Sequence, residues 1–198
     1  SVEEIRTKLN LFKQESQWLI DEAQLNRENI TLHVANSYTT INLPEAHLDM
    51  VRSGIGLYGF GNDPEVNQHL KPIATLKTII SQIHTLKTGE SLGYNRAFKA
   101  TEATKTATLP IGHADGISRQ LGNGKGFVTI NNTKAPILGN ICMDMIMVDV
   151  TNVNCKEGDE VIVFNSNNTA EALAETMQSI SYELLTAVSQ RVKRTFNR

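Results

Sequence analysis

Four stretches of the sequence gather glycine with groups that can donate, accept or carry charge. They are His33-Val-Ala-Asn-Ser37 taken with Arg52-Ser-Gly-Ile55, then Leu92-Gly-Tyr-Asn95, Pro110-Ile-Gly-His-Ala-Asp-Gly116 with Arg119 behind it, and Gly139-Asn-Ile-Cys-Met-Asp144. A hydroxyl and glycine N–H groups at the C-terminal ends of parallel strands make a phosphate cradle, which is the chemistry open to Ser37 and Gly54. Locally, Ser37 capping a helix and Gly54 relieving crowding is the simpler account. Tyr94 lies beside a glycine in a loop, where a tyrosine ordinarily serves packing or the turn; a phenol becomes a useful base only in a cationic setting. His113-x-Asp115 suggests a metal or acid–base pair, but no further ligand spacing accompanies it. A turn with solvated polar groups is expected there, and no metal. Asp144 interrupts an apolar run, so its carboxylate must be paired or exposed in a cleft. Cys142 is expected as a small buried apolar residue rather than a nucleophile.

Elements must position these groups. Val2, Ile5, Leu9, Phe12 and Leu19 recur near helical spacing, and Ser1 followed by acidic residues suits a helix start. Residues 30–35 predict a short buried strand, residues 40–50 have room for one short helix, and residues 51–60 form a second strand-like run with three glycines. This alternation is that of parallel βα architecture. Two such units leave a parallel sheet uncovered, and a closed eight-unit barrel takes ~250 residues. Residues 1–62 are therefore expected to be the last βα units of an incomplete TIM-type barrel.

Beyond Asn62-Asp63-Pro64 the pattern changes. Residues 76–86 are rich in Ile and Thr, and strand-like runs follow at 105–111, 126–131, 134–150 and 159–165, separated by glycine and asparagine. Regular short strands predict an antiparallel barrel or sandwich. Helices are expected over 169–177 and 182–188. The expected fold class is mostly β (α+β): a C-terminal antiparallel β-barrel-like domain over 63–198, preceded by the barrel remnant over 1–62.

The totals narrow the function. A chain of 198 residues with 40% hydrophobic and 20% charged residues has an ordinary globular composition. A net charge of −2 gives no electrostatic case for binding nucleic acid or an anionic membrane, and no apolar run approaches the ~20 residues of a membrane span. Cys142 and Cys155 are the two cysteines, better read as reduced thiols in the cytosol than as a disulfide framework. The start, Ser1-Val-Glu-Glu-Ile, has neither the basic patch nor the apolar stretch of a signal peptide; lacking methionine, it is expected to begin inside something longer or to follow processing.

Taken in order, the stretches HVANS (33–37), DMVRSGIGLYG (49–59), GESLGYNRAF (89–98), LPIGHADGISRQL (109–121), APILGNICMDMIMVDVT (135–151), GDEV (158–161) and SYELLTAVSQRVKR (181–194) cover most of the chain. Together they resemble alanine racemase. The resemblance implies a TIM-type barrel that binds pyridoxal 5'-phosphate, followed by a mostly β domain. It also implies a cytoplasmic homodimer that interconverts L- and D-alanine for peptidoglycan synthesis.

Position by position, the resemblance implies that Ser37, Gly54 and Ile55 hold the cofactor phosphate through a hydroxyl and backbone N–H groups. Arg52 matches the arginine facing the pyridine nitrogen. A guanidinium donates there without readily protonating the ring, which makes a weaker electron sink and limits side reactions. Tyr94 matches the tyrosine that exchanges the α-proton on one face of the substrate, reaching into the partner subunit's site. Met143, through its N–H, and Asp144 match the substrate end of the pocket. Arg119 matches an arginine that backs this region. His113 and Gln190 stand where the family often has tyrosine, which bears on the preference between alanine and serine. The family's second base is the cofactor-bearing lysine in a Lys-Ala-Asn-x-Tyr-Gly context, and these 198 residues contain no such motif. The chain by itself is therefore expected to be inactive. Two alternatives stand beside this reading: a related barrel decarboxylase acting on a basic amino acid, and a non-catalytic domain that serves dimerisation.

Overall fold

A computed structural model describes residues 2–61 and 63–196. The chain divides into two compact units, Ser1–Lys71 and Pro72–Arg198.

The first unit opens with α1 (Val2–Glu22), which has Glu3 and Glu4 in its first turn, where acidic side chains offset the helix dipole. Leu9 is buried against Leu43 and Ala46, with Ile5, Val34 and Leu48 packed around them. Of the apolar positions at helical spacing, Val2 and Leu19 are exposed, and Ile20 beside Leu19 is buried instead. Ser1, expected at the helix start, lies outside the described residues. A short helix, α2 (Ser37–Asn42), is followed by a 3-10 turn over Pro44–Ala46, and a single helical turn, α3 (Pro64–Asn67), lies near the end of the unit.

Neither strand expected in this unit forms. Residues 31–36 carry no strand ladder, and Ile55–Tyr58 winds into a 3-10 turn. The two segments still run side by side in parallel. The Asp49 N–H donates to the Leu32 carbonyl at 3.1 Å and the Arg52 N–H to the Ala35 carbonyl at 2.9 Å. Two main-chain bonds between two segments are too few for a ladder, because a parallel strand draws its regularity from neighbours on both sides.

The second unit is mostly β, as its sequence predicts. Its strands are β1 (Leu76–Ile79), β2 (Gln82–Leu86), β3 (Ser91–Leu92), β4 (Phe98–Lys99), β5 (Thr104–Leu109), β6 (Phe127–Ile130), β7 (Thr133–Leu138), β8 (Ile146–Asp149) and β9 (Glu160–Phe164). Seven form one antiparallel sheet in the order β1-β9-β6-β7-β8-β5-β2, and β3 pairs with β4 in a separate hairpin. The two edge strands, β1 and β2, are consecutive in the chain. Residues 76–86 thus split at Ile80-Ser81, where the backbone leaves one edge and joins the other: the Ile80 N–H bonds Asp159 and the Ser81 N–H bonds Thr108. The sheet curls back on itself around Val128, Ile130, Ile137, Val148 and Val161, all essentially inaccessible. The 134–150 run also splits, into β7 and β8, because Gly139 takes a positive φ of 61° and the Cys142 N–H turns back to the Met145 carbonyl at 3.1 Å. The helices α4 (Ala170–Glu175), capped by the Thr169 hydroxyl, and α5 (Ser181–Ala187) pack against each other after the sheet.

The corner at Ile80 makes a specific demand. Ile80 is 1% exposed and its neighbour Ile79 50%. Ile80→Ala is expected to cost about 2–4 kcal/mol and Ile79→Ala under about 1 kcal/mol, read as shifts of the urea midpoint at constant slope.

Candidate functional site

In the first unit, the parallel offset of 17 residues that aligns Leu32 with Asp49 also aligns Ser37 with Gly54. The Ser37 hydroxyl is buried and accepts from the Gly54 N–H at 2.9 Å and from the Gly56 N–H at 3.1 Å. Ser37 is therefore not the helix cap that local sequence suggests. Asn36 fills that role, its side chain accepting from the Thr39 N–H, which leaves the serine oxygen to organise the glycine turn. A Cβ on Gly56 would lie 3.1 Å from Ser53 Oγ and 3.4 Å from Ser37 Oγ, so a side chain there would crowd both serine hydroxyls. Ile55 is buried at the head of the 3-10 turn, and the exposed Arg52 donates from Nη2 to the Val34 carbonyl at 3.3 Å. Ser37, Arg52, Gly54 and Ile55 thus lie along one strip at the ends of the two paired segments.

In the second unit, Tyr94 projects from the loop between β3 and β4 and is 71% exposed. That loop is strained: Gly93, Asn95 and Arg96 all have positive φ, costly for the two non-glycine residues. Asn140 holds it by donating to the Tyr94 carbonyl at 3.2 Å. Tyr94, Gly93, Cys142, Met143, Asp144, Met145 and Met147 line one open cleft of about 450 Å³. Cys142 is buried there, as its sequence context suggests. Tyr94 and the adjacent pair Met143-Asp144, distant from it in sequence, are brought together.

Asp115 departs from expectation. The turn at residues 112–116 was expected to carry solvated polar groups, and His113 is indeed exposed, but Asp115 is 9% exposed. Its carboxylate accepts from Arg191 twice, Nε to Oδ1 at 2.7 Å and Nη2 to Oδ2 at 3.0 Å, and from the Gly112 N–H at 2.8 Å. Arg191 also reaches Asp144, Nη2 to Oδ1 at 2.6 Å. Burial pushes the Asp115 carboxyl up, but the Arg191 and Gly112 hydrogen bonds and the guanidinium charge outweigh it, so its pKa lies below the ordinary carboxylate value. The two carboxylates in turn push the Arg191 guanidinium up. A Cβ on Gly112 would fall 2.5 Å from the Cys142 carbonyl oxygen, so this turn packs directly on the cleft wall. The pairing of Asp144 agrees with its sequence context; Asp115 and Arg191 were missed as partners. The available signal was an acid between apolar residues, but its cation lies 76 positions away.

His113 and Arg119 face a different cavity of about 260 Å³, which Glu183, Leu184 and Ala187 of α5 also line. Among the described residues, no cluster of three His, Cys, Asp or Glu side chains could hold a metal ion, and no helix is long and apolar enough to cross a membrane.

The model of the family described as "Alanine racemase, C-terminal domain" matches residues 73–196, and that of "Alanine racemase, N-terminal domain" matches residues 2–62. The chain belongs to the alanine racemase family. A protein of Vibrio vulnificus named broad specificity amino-acid racemase is 41% identical over 191 residues, covering 94% of this chain and 46% of that protein. Alanine racemase 1 of Clostridium acetobutylicum is 39% identical, covering 91% of this chain and 49% of that protein. Among solved structures, alanine racemase from Bartonella henselae with covalently bound pyridoxal phosphate superposes with a TM-score of 0.80 at 31% identity, covering 97% of this chain and 52% of that one. The chain spans about half the length of the relatives it matches. Their names favour a racemase over the decarboxylase alternative.

The depressed Asp115 pKa sets a pH dependence. Its contribution to stability is complete above the unfolded carboxyl's pKa of about 3.9 and is lost as pH falls through the lower folded value. Melting temperatures of wild type and Asp115→Asn should differ clearly at pH 7 and converge below about pH 4. A gap of constant size down to pH 3 would contradict the assignment.

Proposed function

We propose that this chain is part of a cytoplasmic alanine racemase, dependent on pyridoxal 5'-phosphate, that interconverts L- and D-alanine for peptidoglycan synthesis. In this reading the chain supplies one of the two catalytic bases and the anchor for the cofactor's phosphate. The observation that carries the reading is the cleft that gathers Tyr94, Met143 and Asp144, the residues the family resemblance assigns to proton exchange and to the substrate end.

Hydrogen-bond accounting at Ser37 supports the cofactor assignment. Both lone pairs of its buried hydroxyl are taken by Gly54 and Gly56 N–H groups, so the proton is what it can still offer. A buried donor beside glycine N–H groups suits an anionic phosphate oxygen, and the Ile55 N–H would join it. Arg52, with one bond at 3.3 Å, would turn to the pyridine nitrogen. When bound, the cofactor supplies an electron sink that makes the amino acid's α-hydrogen acidic.

The chain's own residues do the rest. The Tyr94 phenol oxygen holds and moves the α-proton on one face, and its exposure suits a site completed by a second subunit of a homodimer. The Met143 N–H and Asp144 orient the substrate's far end. A base is needed on the opposite face as well, and the lysine motif that would supply it is not in these residues. Alanine is the proposed substrate, with serine its nearest competitor. The racemase reading involves neither nucleic acid nor membrane.

The isolated chain should leave L-alanine unracemised when D-alanine is measured with a coupled oxidase. Co-expression with the barrel portion of a relative that this chain does not span should produce activity, and Tyr94→Phe should then lower it by about 10²–10⁴-fold. Racemisation by the isolated chain at a relative's rate, or full activity in Tyr94→Phe, would sink the proposal.

A further inference from the structure

The racemase reading leaves one charged assembly without a task. Arg191 sits on Asp115 through a bidentate contact and spends a further bond on Asp144 in the cleft wall. We propose that Arg191 is a positioning residue for the Tyr94 cleft: seated on buried Asp115, its guanidinium fixes Asp144 and the adjoining backbone of the substrate end. This rests on the reading of that cleft as the substrate site.

The seat is rigid. A planar fork on a carboxylate that also accepts the Gly112 N–H has little freedom left. The tail that carries Arg191 is bonded to the Asp115 turn and folded on itself. The Ser189 N–H donates to the Asp115 carbonyl at 3.1 Å, and Arg194 donates to the Val188, Ser189 and Val192 carbonyls. The turn carrying Asp115 is bonded to the cleft wall itself, His113 N–H to the Cys142 carbonyl and Ala114 N–H to the Met143 carbonyl, each at 3.0 Å.

The outer end is loose by contrast. The Asp144 side chain is 56% exposed and pairs with Arg191. Released, that carboxylate would swing over a cleft meant for an amino acid, whose own carboxylate it repels. Holding it affects substrate binding more than the proton transfer at Tyr94. A lysine cannot substitute, because a point ammonium lacks the fork that engages two acids at once.

Two measurements test this. In the complete racemase, Arg191→Lys should raise KM for L-alanine about tenfold with kcat within about twofold, the loss of one charge-assisted hydrogen bond. With Asp144→Ala already present, the same change should add under about twofold to KM. In the isolated chain, amide hydrogen exchange at residues 142–145 should quicken about tenfold in Arg191→Lys while residues 133–138 hold steady. If Arg191→Lys fails to fold, Asp144→Ala removes only the exposed arm and should quicken exchange at residues 142–145 likewise. Unchanged exchange at 142–145 in the folded variant overturns the proposal, as does a KM effect that persists in full beside Asp144→Ala. Full activity in Tyr94→Phe would instead overturn the cleft reading, leaving the exchange result to be judged separately.

Discussion

A carboxylate placed among apolar residues must be given a cation and hydrogen-bond donors, or folding must protonate it. Asp115 is given both, and much of the second unit is organised by that need. Its guanidinium comes from the C-terminal tail and its backbone donor from the turn at Gly112. Satisfying one buried acid therefore brings three separate chain segments to one point: the turn, the tail, and, through the remaining arm of Arg191, the bend at Asp144. None of the three is a strand or an α-helix, yet together they form one edge of the cleft.

The sheet makes this possible by supplying what loops cannot. Its strands hold the bend between β7 and β8 and the hairpin of β3 and β4 at fixed separation. The positive φ values at Gly93, Asn95 and Arg96 then persist because the surroundings determine them. Tyr94 is thus an exposed aromatic on a strained loop, a costly arrangement unless something outside the unit uses the phenol. The first unit has the same division of labour on a smaller scale: α1 and its apolar contacts provide the support, and the glycine turn at Ser37 provides the polar groups.

The mostly β character of the second unit, its closing helices and most of its strand positions were legible because alternation and glycine–asparagine punctuation are local signals. The breaks at Ile80-Ser81 and Gly139 were not. An apolar run reads as one strand until the sheet it belongs to requires it to change partners. The strands expected at 30–35 and 51–60 were misjudged for a related reason: composition marks a buried parallel strand, but the ladder itself depends on neighbours on both sides. At the candidate site, glycine-rich stretches marked where Ser37, Tyr94 and Asp144 lie. The division of roles between Asn36 and Ser37, and the pairing of Asp115 with Arg191, depended on hydrogen-bond geometry and on contacts 76 residues apart.

The 17-residue offset that runs through Leu32–Asp49 and Ser37–Gly54 acts as a ruler for the first unit. Residues 38–48 set its length, and both the main-chain alignment and the serine–glycine contact depend on the same count. Adding or deleting one residue in that connector would shift every pairing together, so Ser37 Oγ would meet a different amide and the glycines would fall out of phase. A loop of this kind accepts exchange of its side chains far more readily than any change in its length. In the second unit the tight turn at Asn131-Asn132 joins two strands already in register, and the strand pairing rather than the turn sets the spacing. Gain and loss of residues during descent should accordingly be tolerated very unequally in the two units.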